Sequence, residues 1–296
     1  MDARKIEPHD HKRLEAAGGY LRQYSHNIIR WKDQGYISPD DCYVFMSRGA
    51  LVGGVCFCDD IAGEREILDF ALIDTELPYG AQTLKNTLQM AAKEGTRAIG
   101  YNLYNDTDQY AGILDLFLQS GFQVVQKKKS YTYERADPPV SIGALTFQSI
   151  AEVGETKFIN TVMDVTVGTL DKLMAGDAAL LGGDMAAREY VDRLKAIDFN
   201  RDWWRLGYDQ NKLVGLIIPQ KFDETNGGIN YIGVLPQHRG RGYGAALLAE
   251  GAHILYGNGL HKIYADIDAG NYPMAIALEQ VGFAFRMEES VLTYTL

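Results

Sequence analysis

The chain has 296 residues, enough for two domains of ordinary size. Hydrophobic residues make up 46% and charged residues 23%, a globular balance, and the net charge is −10. That charge lacks the positive field non-specific nucleic-acid binding needs, which argues against DNA or RNA as a partner, while an excess of carboxylates suits a cationic amine.

The opening MDARKIEPHDHKRLE is polar and has no apolar core of the signal-peptide kind. Leu51 to Cys58, LVGGVCFC, reads as a strand and falls far short of the roughly 18 apolar residues of a membrane span. No membrane partner is expected. Cys56 and Cys58 alternate on that strand, so both thiols are expected on one face. With Cys42 they make an odd number clustered in one half, which is neither a disulfide framework nor, without a His or further Cys at ligand spacing, a metal site. A reduced, cytoplasmic, metal-free protein follows as the expectation. Leu72 to Gly80 forms a turn carrying Asp74 and Glu76, and Asn102 to Phe122 gives an Asn-bearing strand end and a helix stopped by Gly121.

A boundary is expected at Arg135 to Ser141, where RADPPVS sets two prolines between the strand-like YTYE and ALTF. It divides the chain into domains 1–137 and 138–296. The two resemble each other. Leu51-Val52-Gly53 matches Leu213-Val214-Gly215, Gly80-Ala81 with Leu84 matches Gly244-Ala245 with Leu248, Gly121-Phe122 matches Gly282-Phe283, and Tyr133 matches Tyr294. The nearly constant offset points to internal duplication.

In the second half, Glu189 to Ile197 reads as a helix. Trp204 to Tyr208 and Leu213 to Pro219 read as strands joined by Asp209-Gln210-Asn211, and Ile229 to Leu235 as another. Gly244 to Tyr256 has helical spacing, Ile263 to Ile267 alternates as a strand, Pro273 to Val281 is helical, and Ser290 to Thr295 is a last strand. Between strand and helix lie Gly240, Gly242 and Gly244 at every second position, flanked by Arg239 and Arg241. Glycines there permit positive φ and close approach, the helix start offers free N–H groups, and the arginines can pair with phosphate oxygens. A surface turn that merely caps the helix is the plain alternative. A dinucleotide fingerprint requires G-x-G-x-x-G, which this spacing does not match.

Arg239 to Gly244, RGRGYG, resembles the acyl-CoA pyrophosphate signature Q/R-x-x-G-x-G/A of the GNAT N-acetyltransferases. DIDAGNYPMAIALEQVGF, Asp266 to Phe283, resembles the family's later block. The resemblance covers about the second half and, more faintly, the first. It implies a mixed α/β fold of two tandem GNAT-like domains. Each would be a mostly antiparallel sheet with one splayed parallel strand pair, flanked by helices. It implies acetyl-CoA as co-substrate: pantetheine along the backbone of Ile232, Gly233 and Val234, pyrophosphate on the turn of Arg239, Gly240, Arg241, Gly242, Tyr243, Gly244 and Ala245, and Asn271 near the thioester. Met274 and Leu278 would line or underlie the region. The family's usual acid tyrosine falls at Leu278, so either water or another residue such as Tyr231 protonates the thiolate, or no acid is needed. For the base, Asp266 and Asp268 are the candidates, against the alternative that they are solvated strand-end or capping residues. His238, Asp223, Glu224 and one of Trp203 and Trp204 are further residues that could approach the site. The first half, with Asp74 and Glu76 where phosphate would sit, is not expected to bind CoA in the same way. N-acetylation of a small-molecule primary amine is the leading reading. A non-catalytic acyl-CoA-binding module and a protein or peptide N-acetyltransferase remain open.

Overall fold

The computed structural model describes all residues except 60–64, 94, 141 and 144, so Ser141 at the end of the proline linker and Ala144 at the start of ALTF lie outside the described residues. In chain order the elements are β1 (Asp2–Lys5), α1 (Asp10–Ala17), α2 (Gly19–Asp33), β2 (Cys42–Ser47), β3 (Ala50–Asp59), β4 (Arg65–Leu72), α3 (Ala81–Ala91), β5 (Ala98–Tyr104), α4 (Tyr110–Gln119) and β6 (Gln123–Glu134). There follow β7 (Thr146–Ser149), α5 (Ile150–Val153), α6 (Glu155–Thr166), α7 (Lys172–Leu181), α8 (Gly183–Ile197), β8 (Arg205–Asp209), β9 (Lys212–Lys221) and β10 (Asn226–Val234). The chain ends with α9 (Tyr243–Gly257), β11 (Lys262–Asp268), α10 (Tyr272–Val281) and β12 (Ala284–Thr295).

Two compact units result, and they are not the contiguous halves 1–137 and 138–296. One comprises Met1–Val125 with Glu289–Leu296, the other Gln126–Glu288. The last strand of each half completes the sheet of the other. In the first unit, β5 pairs antiparallel with the end of β12, from Glu289 opposite Tyr104 to Thr295 opposite Ala98. In the second, β11 pairs antiparallel with β6, from Lys262 opposite Glu134 to Asp268 opposite Lys128. The alternation of Tyr131, Tyr133 and Tyr294 specifies a half-buried strand but not which sheet receives it.

The first unit places α1 and α2 over a core of Leu14, Leu21, Tyr24 and Ile28 on one face of its sheet, and α3 and α4 over Leu84, Leu88, Leu116 and Phe117 on the other. Strands β4 and β5 are parallel for only three pairs, Arg65 to Ile67 against Ile99 to Tyr101. Cys42 and Cys56, buried and directly opposite each other across β2 and β3, bring their sulfurs to 3.1 Å. Hydrogen bonding to Cys42, then burial, pushes the Cys56 thiol well above its ordinary range. Among the described residues no cluster of His, Cys, Asp and Glu could hold a metal ion, and no helix is long and apolar enough to cross a membrane.

The second unit repeats the plan. Helices α6 and α8 cover Phe158, Val162, Val191 and Trp204 on one face, and α9 and α10 cover Leu247, Leu248, Leu255 and Leu278 on the other. Strands β10 and β11 are parallel only from Asn226 to Gly228 against Lys262 to Tyr264. On its other side β10 stays paired with β9 as far as Val234, apart from a bulge that leaves Asn230 extra between Ile229 and Tyr231. The bulge re-aims the strand, and the parallel pair parts beyond it. Helix α8 begins six residues before the expected Glu189, and β12 begins before the expected Ser290, because tertiary packing continues each element past its strongest pattern.

Candidate active site

Where β10 and β11 part, a cleft of about 620 Å3 opens toward the N-terminus of α9. One wall is the β10 backbone from Tyr231 to Val234. The far end is the turn at Gly240 to Ala245. Asn271, Pro273, Met274 and Ile276 form the α10 side, and Val165, Gly168, Thr169 and Leu170 close the fourth side.

The turn is built by two left-handed glycines, Gly240 at φ +75° and Gly242 at φ +83°, the latter capping α9. A Cβ at either would meet open space, so backbone direction rather than crowding requires glycine there. No backbone carbonyl accepts from the amides of residues 240 to 245 among the described residues. A helix N-terminus with that many unspent N–H groups beside a cleft has the donors and the dipole that suit an anion. The Tyr243 hydroxyl donates to Asp209 Oδ2 at 2.6 Å, which anchors the turn to the β8–β9 hairpin and raises the phenol above its usual range.

The other residues singled out from sequence are placed as follows. Asn271 caps α10, its Oδ1 accepting from the Met274 amide at 3.3 Å, with its side chain on the cleft wall. Met274 lines the cleft and Leu278 is buried beneath it. Arg241 is exposed. Arg239 reaches the cleft, but its guanidinium is bonded to backbone carbonyls rather than free for phosphate. His238 lines the cleft beside Tyr243, and its buried Nδ1 has no partner.

Neither aspartate offered as a base is on the cleft wall. Asp268 is buried: Oδ1 accepts from the Gly270 amide at 3.0 Å and Oδ2 from Gln126 Nε2 at 3.4 Å, which makes it a turn-forming residue at the strand end. Asp266 is exposed on β11 opposite Ser130. Asp223 staples the β9–β10 turn, accepting from the Thr225 and Asn226 amides at 2.8 and 2.9 Å, bonds that with the Asn226 side chain hold its carboxyl at about 2. Glu224 pairs with Lys221. Both sit at the end of β10 remote from Val234. Trp204 is wholly buried in the core, and Trp203 lines a separate hollow with Phe199 and Leu260.

Tyr231 is buried on the cleft wall, its hydroxyl 3.1 Å from Thr166 Oγ1 and its ring edge-on to Tyr190 at 5.2 Å. Burial pushes its phenol up to about 12, so at neutral pH it carries its proton and is a donor, not a base. The folded value lies above the unfolded one near 10, so this contribution to stability is present below about pH 10 and lost as pH rises through about 12. Tyr231→Phe is expected to shift the alkaline unfolding midpoint upward relative to its own stability at pH 7; an unchanged alkaline limb in a pH series of thermal melts would contradict this.

Val165, Thr166, Gly168, Thr169 and Leu170 were not foreseen from sequence. They enter the site largely through backbone and small side chains, which leave no motif. The one available signal was Gly168, which at φ +62° turns the chain after α6.

In the first unit the equivalent position is filled. Asp74–Tyr79 winds into a 3₁₀ turn, the Gly80 amide donates to Leu77, and Gly80 itself lies against Leu72 and Leu116.

Residues 181–283 match the family model described as the Acetyltransferase (GNAT) family. None of the curated proteins compared with the chain matches it. Among solved structures, a GCN5-related N-acetyltransferase from Sphaerobacter thermophilus is similar at 14% identity with a TM-score of 0.62, covering 99% of this chain and 95% of that one. A tandem GNAT protein from the clavulanic acid biosynthesis pathway is similar at 14% identity and a TM-score of 0.52, covering 88% and 85%. A GCN5-related N-acetyltransferase from Kribbella flavida gives 13% and 0.53, covering 82% and 87%. At these identities the likenesses establish the fold, a tandem mixed α/β architecture. The fold and the family match together make this an acyltransferase. The matched segment, residues 181–283, has the sequence character of the GNAT acetyltransferases, a family that uses acyl-CoA.

Proposed function

We propose that the protein transfers an acetyl group from acetyl-CoA to the primary amine of a small molecule, by direct attack in a ternary complex. The observation that carries this reading is the row of unspent amides at Gly240 to Ala245, aimed into a cleft that runs back along the parted end of β10. The donor set fits a diphosphate: backbone N–H groups, a helix dipole and no carboxylate among the described residues of the wall. Ile232 to Val234 present strand backbone to an extended amide-bearing arm, and Asn271 stands across from it. Acetyl-CoA supplies the activated acyl carbon and a thiol leaving group. A backbone N–H at Val234 or a neighbour would stabilise the carbonyl oxygen as charge develops on it. Tyr231, held protonated, serves as the hydrogen-bond donor on this wall. The net charge of −10 favours a cationic acceptor.

With Tyr231 protonated and no carboxylate on the described wall, the fraction of free amine sets the rate. Incubation with acetyl-CoA and a library of primary amines is expected to release free CoA thiol. For the amine that turns over, kcat/KM should rise about tenfold per pH unit until the acceptor's own pKa, about 10.4 for an alkylamine, is approached. A plateau reached near pH 7 would reveal a base on the protein. The same absence of a carboxylate favours, as a second reading, an acyl-CoA binder without turnover; it predicts CoA affinity with no amine-dependent thiol release across the library.

A further inference from the structure

An arginine beside a phosphate-binding turn is ordinarily assigned to the phosphate. Arg239 points elsewhere. Its Nε donates to Val234 O at 3.1 Å, Nη1 to Gly168 O at 2.9 Å, and Nη2 to both Val165 O and Val167 O at 2.8 Å. Four of the five N–H groups of the guanidinium are thereby spent on main-chain carbonyls. Three of those carbonyls belong to the end of α6 and the residues just after it, where a helix leaves its last C=O groups unpaired and its dipole favours a cation. The fourth, Val234 O, is at the end of β10. One side chain thus ties the strand end and the start of the phosphate turn to the segment that forms the opposite wall of the cleft.

Two more contacts hold the same segment. Val165 lies where a side chain on Gly233 would be, its Cγ2 only 2.5 Å from a Cβ built there, and Thr166 Oγ1 is 3.1 Å from the Tyr231 hydroxyl. Past them, Val167 and Leu170 are 63% and 52% exposed, apolar side chains held open to solvent, with Leu170 on the cleft wall. No core packing explains their position, whereas the bonds from Arg239 do.

We infer that Arg239 is a positioning residue: it fixes residues 165–170 as the wall that meets the reacting end of the substrates, and its side chain is not a ligand of the diphosphate. This rests on the acetyl-CoA reading of the cleft. It divides the two arginines of the turn. Arg241, exposed and close to the Tyr243 hydroxyl, can attract phosphate by charge, whereas Arg239 acts through geometry. A lysine could replace the first role, because a point charge suffices. It cannot replace the second, because one ammonium cannot reach four carbonyls spread around a planar fork.

The test uses the full chain as R239M, R239K and R241M. CoA binding is measured by calorimetric titration at low and high salt, amide exchange of residues 165–170 by hydrogen–deuterium exchange, and steady-state constants with the fastest amine of the library. For R239M the expected results are a CoA Kd within threefold of wild type with the same salt dependence, exchange of residues 165–170 at least tenfold faster, and an amine KM raised at least tenfold. R239K should match R239M. R241M should weaken CoA at low salt and leave the exchange of 165–170 as in wild type. A CoA Kd raised tenfold or more in R239M, restored in R239K, with unchanged exchange at 165–170, would overturn the inference. Should R239M not fold, R239Q must show the same faster exchange with retained CoA binding, and its failure to do so overturns the inference equally. Failure of the wild-type chain to bind CoA would instead bring down the reading of the cleft, and is seen before any variant is made.

Discussion

Replacing Gly242 with glutamate is expected to abolish stabilisation by acetyl-CoA while leaving the protein folded. Gly242 has φ +83° and caps α9, and a side chain there meets nothing within 4 Å. Strain is therefore the only folding penalty, about 1–2 kcal/mol for a non-glycine residue in left-handed conformation, against a usual stability of about 5–15 kcal/mol. The effect on the ligand is far larger. The carboxylate stands at the mouth of a nest of amides and repels a diphosphate while competing for the same N–H groups. A ligand at 100 times its Kd stabilises by about 2.7 kcal/mol, a shift of several degrees in melting temperature. In thermal melts with and without millimolar acetyl-CoA, the wild type should show that shift and G242E none. A variant that keeps the full shift would show that the diphosphate lies elsewhere.

The largest loss of stability is expected from Gly215→Ala. Gly215 sits on β9 opposite Val234, and a Cβ there falls 2.1 Å from the Gly233 carbonyl oxygen and 2.9 Å from Leu247 Cδ1. The oxygen is backbone and cannot swing away, so β9 and β10 must part or α9 must lift. Either movement disturbs the strand and helix that flank the cleft. Overpacking of this kind costs about 1–3 kcal/mol or more, which corresponds to a fall in melting temperature of roughly 2–12 °C. Gly176→Ala is the control: it lies within α7 with nothing within 4 Å, and alanine there should stabilise by up to about 1 kcal/mol. Equal melting temperatures for G215A and the wild type would refute the packing account.

Gly215 also explains why the duplication was visible. Its counterpart, Gly53, faces the Ala71 carbonyl oxygen at 2.4 Å from a built Cβ, the same approach between the same two strands. A backbone that leaves no room for a side chain writes glycine into the sequence at a fixed offset. The turn at 240–245 was legible for a related reason, since its two left-handed residues also demand glycine. What sequence could not show was set by the partner of a group and not by its own chemistry. Arg239 and Arg241 are the same residue type two positions apart, yet one is consumed by carbonyls at and just past the end of α6 and at the end of β10, and the other is exposed. Asp268 looks like a base until the Gly270 amide and Gln126 are seen on its two oxygens. The wall at 165–170 is recognised through main-chain oxygens that every residue owns.

The same limit hid the exchange of terminal strands. Tyr133, from the first half, packs against Gly282 of the second, and Tyr294, from the second, against Gly121 of the first. Without the seven residues of β6 that face Lys262 to Asp268, β11 would be left with a bare edge beside the cleft. Each half lends the other a border strand, so deleting either strand is expected to leave the sheet it completes with an unpaired edge.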